Sequence, residues 1–81
     1  MTAAVQTLWA ELIASTLADA GIRLCVVSPG SRSTPLVTAI AAEPRLAAPA
    51  IIDERAAAFY ALGAARATGE PTAIVCTSGT A

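Results

Sequence analysis

The chain has 81 residues, below the usual domain size of roughly 100–150, so it can bury only a modest core and cannot hold a complete enzyme of ordinary size. Hydrophobic residues make up 56% and charged residues 14%, a balance that suits a piece of a larger buried fold and predicts that the natural chain continues beyond Ala81. The net charge is −1, with five arginines and no lysine or histidine. That excludes a basic stripe for nucleic acid or anionic lipid, a His-containing zinc site and a Ser-His-Asp triad within this segment.

The start, Met1-Thr2-Ala3-Ala4, has no positive leader region, and Gln6, Glu11 and Asp19 interrupt the first apolar stretch before it could cross a bilayer. No integral membrane segment and a cytoplasmic location are expected. Val5, Leu8, Trp9, Leu12, Ile13 and Leu17 recur at three- and four-residue steps and predict one apolar helical face, with Thr2 as N-cap and Gly21 as the stop. Ile22 to Ser28 is a short apolar run ended by Pro29-Gly30, the pattern of a buried strand. Thr34-Pro35 opens a second helix, which ends before Pro44.

Ala50-Ile51-Ile52 reads as a second strand, and Asp53 to Ala67 as a long alanine-rich helix carrying Phe59, Tyr60 and Leu62. Gly69-Glu70-Pro71 turns into a third strand, Thr72 to Cys76. Strands without alternation, separated by helices, predict an α/β fold: a parallel sheet with flanking helices and right-handed crossovers, incomplete in this chain. Cys25 and Cys76 each lie within an apolar run and read as buried thiols rather than a disulfide or metal pair.

In such sheets ligands bind beyond the carboxyl ends of the strands, and three segments fall there. The first, Ser28-Pro29-Gly30-Ser31-Arg32-Ser33-Thr34-Pro35, combines a glycine for a tight turn, the hydroxyls of Ser31 and Ser33, helix-start N–H groups and the guanidinium of Arg32, a set suited to a carboxylate. The residues alone fit a capped βα turn with an exposed arginine equally well. The spacing and lysine of a phosphate-binding P-loop are absent. The second segment is Asp53-Glu54-Arg55, where a carboxylate can compensate the helix dipole; this suits Asp53 as a cap, while Glu54 could face the crevice and share a proton with a ligand nitrogen. The third is Thr77-Ser78-Gly79-Thr80-Ala81.

Together the acid at Glu54, the small-residue helix to Gly69, the apolar strand from Thr72 and Thr77-Ser78-Gly79 resemble the pyrimidine-binding domain of thiamine-diphosphate-dependent decarboxylases and synthases. The resemblance covers nearly the whole chain and makes residues 1–81 the N-terminal part of that domain. Within the superfamily, the Ser28-to-Leu36 element is similar to the menaquinone-pathway synthases. Acetohydroxyacid synthases usually place His before the catalytic Glu and continue the third-strand motif as Thr-Ser-Gly-Pro-Gly; Asp53 and Thr80 stand here instead.

The resemblance implies a role for each site. Glu54 is the catalytic residue and binds the aminopyrimidine ring of thiamine diphosphate. Ser31 and Arg32 bind the carboxylate-bearing substrate, and Thr77, Ser78 and Gly79 line the cofactor's pyrimidine half. The implied reaction is decarboxylation of 2-oxoglutarate and addition of the remaining fragment to isochorismate. Mg2+ and the diphosphate are expected on a Gly-Asp-Gly motif in another domain, from the partner subunit of a homodimer or homotetramer, so no metal ligand is assigned here and the segment alone is expected to be inactive. Another thiamine-diphosphate enzyme, such as an acetohydroxyacid synthase relative, and a non-catalytic βα anion-binding module are the alternatives.

Overall fold

The computed structural model describes residues 2–30 and 33–77. In chain order the elements are α1 (Ala3–Asp19), β1 (Cys25–Val27), α2 (Thr34–Ala42), α3 (Glu54–Thr68) and β2 (Ala73–Val75). The Thr2 hydroxyl accepts from the Val5 N–H at 3.2 Å and caps α1, and Gly21 takes a positive φ of 92° just past its end, as the sequence predicts. Pro35 lies in the first turn of α2, where its missing N–H leaves no gap in the helix. The left-handed Gly69, φ 72°, closes α3.

β1 and β2 are parallel neighbours, with Cys25 opposite Ala73, Val26 opposite Ile74 and Val27 opposite Val75. The predicted second strand at 50–52 is not a regular strand. Residues 47–51 instead run parallel along β1 through isolated bridges at Leu24–Ala47 and Val27–Ala50. The Ala47 N–H donates to Arg23 O, Ala47 O accepts from Cys25 N–H, Pro49 O accepts from Val27 N–H, and the Ile51 N–H donates to Val27 O. A proline at 49 has no N–H to donate at the rung between those of Ala47 and Ile51, so the ladder is interrupted there. Ile52 leaves the sheet and is 89% exposed, because the chain is already turning into the cap of α3.

Both faces of β1 are covered, which is why it reads as an unbroken Cys-Val-Val run, whereas Ile74 of β2 is left exposed. Cys25, Val27 and Val75 pack with Ala14, Ile40 and Leu46 on the side of α1 and α2. Val26 packs with Ala57 and Ala61 of α3 on the other side, joined by Leu24 and Ile51. Thr72 donates its hydroxyl to Ala61 O at 3.0 Å, tying the approach to β2 to the middle of α3.

The predicted core face of α1 is corrected by this packing. The helix meets the rest of the chain through Ala10 and Ala14, whereas Leu8, Trp9 and Leu12 are 64%, 55% and 57% exposed. The large apolar residues do share a face, but that face points away from this unit, and the opposite side, where Ala10 and Ala14 lie beside Thr7, Glu11 and Ser15, makes the contact because small residues allow the closest approach. Phe59, Tyr60 and Leu62 of α3 are exposed in the same way. Both cysteines are free, Cys25 buried and Cys76 half-buried. Among the described residues no helix is long and apolar enough to cross a membrane.

Candidate functional site at the carboxyl edge of the sheet

The residues that end the strands are drawn together by a single serine. Ser28 follows β1 directly and is the one polar side chain buried in the core among the described residues, at 2% exposure. Its backbone N–H donates to Val75 O at 2.8 Å, and its hydroxyl donates to Ile52 O at 2.9 Å. Val75 lies two residues before Thr77, and Ile52 two residues before Glu54. Ser28 therefore fastens the end of β1 to the segments that deliver the other two candidate sites. In the sequence Ser28 reads as the end of the apolar strand and the start of the anion loop; the signal for its bonding role is a hydroxyl at the end of an apolar strand, where a donor can satisfy a neighbouring carbonyl.

At the start of α3 the two acids divide their work. Asp53 is the N-cap: its Oδ1 accepts from the Arg55 N–H at 2.9 Å and the Ala56 N–H at 3.2 Å. The expectation that Asp53 caps the helix is met. Glu54 is the first residue of the helix and is half-buried. At the other end of α3, Arg66 lies in the last turn, so both charged ends complement the helix dipole.

The loop after β1 folds on itself. Gly30 O accepts from the Ser33 N–H at 3.1 Å and from the Ser33 hydroxyl at 3.0 Å, with Thr34 Oγ1 at 3.4 Å. The Ser33 hydroxyl proton is thus spent within the turn, which corrects its reading as a ligand donor. Gly30 itself has no positive φ, so the turn does not require glycine for its backbone angles. What it requires is the missing side chain: a β-carbon at Gly30 would overlap Thr77 Cγ2 and lie 3.1 Å from Thr77 Oγ1. Thr77 is exposed at the end of β2, beside that loop. The candidate residues Ser31, Arg32, Ser78 and Gly79 lie outside the described residues.

A separate groove of about 490 Å³ runs between α1 and α2, with Thr7, Glu11 and Ser15 on one wall and Thr34 and Thr38 on the other. None of Ser28, Gly30, Glu54 or Thr77 lines it. Near its lower end Arg45 donates to Asp19 at 2.6 Å and to Glu43 at 2.8 Å, joining the ends of α1 and α2. The Arg45 side-chain hydrogen bond, and then the Arg45 backbone N–H, hold the Glu43 carboxyl below the usual carboxylate range. No group of three or more His, Cys, Asp or Glu side chains able to hold a metal ion occurs among the described residues.

A helix-opening glutamate thus lies at the carboxyl edge of a parallel sheet, at the same edge where the loops after β1 and β2 meet at Gly30 and Thr77. Residues 8–81 match the family model of the thiamine pyrophosphate enzyme N-terminal TPP binding domain, and the chain belongs to that family. Among curated proteins it is similar to several 2-succinyl-5-enolpyruvyl-6-hydroxy-3-cyclohexene-1-carboxylate synthases. The Haloarcula marismortui enzyme is 56% identical over 77 residues, covering 95% of this chain and 13% of the relative. The Microcystis aeruginosa enzyme is 53% identical over 77 residues, covering 95% and 14%. The Thermosynechococcus vestitus enzyme is 52% identical over 81 residues, covering 100% and 14%. The chain thus spans about a seventh of the length of the relatives it matches.

Proposed function

We propose that this chain supplies the pyrimidine-binding edge of the active site in a thiamine-diphosphate-dependent synthase that decarboxylates 2-oxoglutarate and joins the product to isochorismate, forming 2-succinyl-5-enolpyruvyl-6-hydroxy-3-cyclohexene-1-carboxylate on the way to menaquinone. Residues 1–81 are the N-terminal part of the pyrimidine-binding domain, acting within a cytoplasmic homodimer or homotetramer. The names of the relatives and the family membership support this reading. The single observation that carries it is the division of labour at α3: Asp53 performs the capping, and the adjacent half-buried Glu54 stands at the sheet edge where this fold presents catalytic groups.

The donor set fits the pyrimidine half of the cofactor. A carboxyl group can hydrogen-bond a ring nitrogen, and Thr77 follows β2 at the same sheet edge, with β1 between it and the segment that leads into Glu54. Bound thiamine diphosphate supplies the carbon nucleophile that the protein's own side chains lack. Glu54 holds a proton at the pyrimidine ring and orients it; Thr77, Ser78 and Gly79 border that ring. Ser31 and Arg32 hold the substrate carboxylate, Arg32 through a planar fork that matches it. Mg2+ and the diphosphate are held by a domain outside this segment.

The test is Glu54→Gln in the full-length protein. Hydrogen–deuterium exchange at the thiazolium carbon of bound thiamine diphosphate should slow by roughly two to four orders of magnitude, with the melting temperature little changed. Wild-type exchange rates in the variant would remove Glu54 from the chemistry.

A further inference from the structure

We propose that Gly30 and Thr77 form a positioning pair, in which the Thr77 side chain occupies the space of the missing Gly30 side chain and sets the loop after β1 against the loop after β2. The inference rests on the functional reading above, because it gives the pair the task of registering a carboxylate-binding loop with a cofactor-binding loop.

Three facts carry it. Gly30 has no positive φ, so its φ does not call for glycine. The three described atoms nearest an added β-carbon all belong to Thr77: the methyl Cγ2 overlaps it, Oγ1 lies at 3.1 Å and Cβ at 3.2 Å. Rotation about χ1 of Thr77 moves the methyl but leaves its Cβ in place, so a side-chain flip does not fully relieve the crowding. A shift of a few tenths of an ångström between the two loops then remains. Both ends of the pair are anchored close by: Ser28, two residues before Gly30, is bonded to Val75, two residues before Thr77. A short closed ring of backbone therefore holds the contact, and displacement at one side is passed to the other rather than absorbed.

In sequence, Gly30 immediately precedes Ser31 and Arg32, and Thr77 immediately precedes Ser78 and Gly79. One added methyl should disturb both ligand sites at once, and Thr77 should determine how much. Gly30 and Thr77 act here through their neighbours, and neither is assigned a chemical step by the pairing.

The experiment is a double-mutant cycle in the full-length protein with Gly30→Ala, Thr77→Ser and both together. Serine lacks the overlapping methyl and keeps the hydroxyl. The readouts are the dissociation constant of thiamine diphosphate with Mg2+, titrated on the apoprotein by its intrinsic fluorescence, the KM for 2-oxoglutarate, and the melting temperature. Gly30→Ala in the wild-type background should weaken both ligands on the order of tenfold to a hundredfold. In the Thr77→Ser background the same change should cost several-fold less in both. Equal penalties in the two backgrounds, or no penalty from Gly30→Ala, would overturn the pairing. If Gly30→Ala alone does not fold, recovery of folding in the double variant supports the contact and its absence overturns it. Failure of the wild-type protein to bind thiamine diphosphate overturns the functional reading, whereas additive penalties in a protein that binds it overturn this inference alone.

Discussion

The Ser28 hydroxyl donates to the carbonyl oxygen of Ile52 at 2.9 Å, a bond spanning 24 residues of sequence and made by a side chain with 2% exposure. Removing the donor breaks a bond whose hydroxyl is buried and whose acceptor belongs to the exposed Ile52, so water can take the donor's place. Ser28→Ala should therefore destabilise the protein by about 0.5–1.5 kcal/mol, read as a lower denaturant midpoint with an unchanged slope. Because the bonded carbonyl lies two residues before Glu54, exchange at the thiazolium carbon should fall as well, by less than in Glu54→Gln.

Neighbouring acids at the start of α3 should separate cleanly. Asp53→Ala removes an acceptor for two helix N–H groups and should cost about 0.5–2 kcal/mol of stability. Asp53→Asn keeps an acceptor oxygen and should recover most of that loss. Denaturation curves of the two variants beside Glu54→Gln would show stability following position 53 and turnover following position 54.

The Arg45 clamp predicts a pH dependence whose sign is set by Glu43. Its carboxyl is held below the usual range in the folded state, so the stabilisation is present in full above the ordinary glutamate pKa and is lost as pH falls through the lower, folded value. The melting-temperature gap between wild type and Glu43→Gln should be flat near neutral pH and close in acid. The bond from Arg45 to Asp19 is exposed on both sides, and its share should fade in high salt.

Burial pushes the Cys25 thiol up, and the residue has no exposed surface. Alkylation by iodoacetamide at pH 8 should spare Cys25 in the folded protein and reach it only in denaturant, as peptide mass mapping would reveal.

Exposed Leu8, Trp9, Leu12, Phe59 and Leu62 give the 81-residue chain, studied alone, large apolar surfaces in water. It should self-associate and bind a hydrophobic dye. A monomer by sedimentation with a sharp cooperative melt would contradict this.

Where local chemistry determines conformation, the chain was readable in advance. Thr2, Gly21, Pro35, Asp53 and Gly69 mark their element ends because capping and left-handed turns depend on a few adjacent atoms. The acid at 54 was readable as a candidate because it follows an apolar run at a predicted sheet edge. Tertiary choices were less visible. Periodicity points to the face of Leu8 and Leu12 as the inward one, and only the packing partners select the opposite face with Ala10 and Ala14. The Ile51-Ile52 pair suggested a strand, but pairing begins earlier and loses a rung at Pro49, leaving Ile52 outside. Likewise the need for glycine at 30 arises from Thr77, a residue 47 positions away in the sequence, and not from the turn it occupies.

The alanine contacts also bear on which substitutions the unit will accept. Ala10, Ala14, Ala57 and Ala61 are closed off where their helices meet the rest of the fold, and an extra methylene there has nowhere to go. A saturation-mutagenesis map of this unit should accordingly look inverted, with the smallest side chains the least replaceable and polar replacements at Leu8 and Leu12 harmless to its internal packing. Any intolerance at those leucines in the full-length protein would then report on surfaces beyond this unit, and the difference between the two maps would outline them residue by residue.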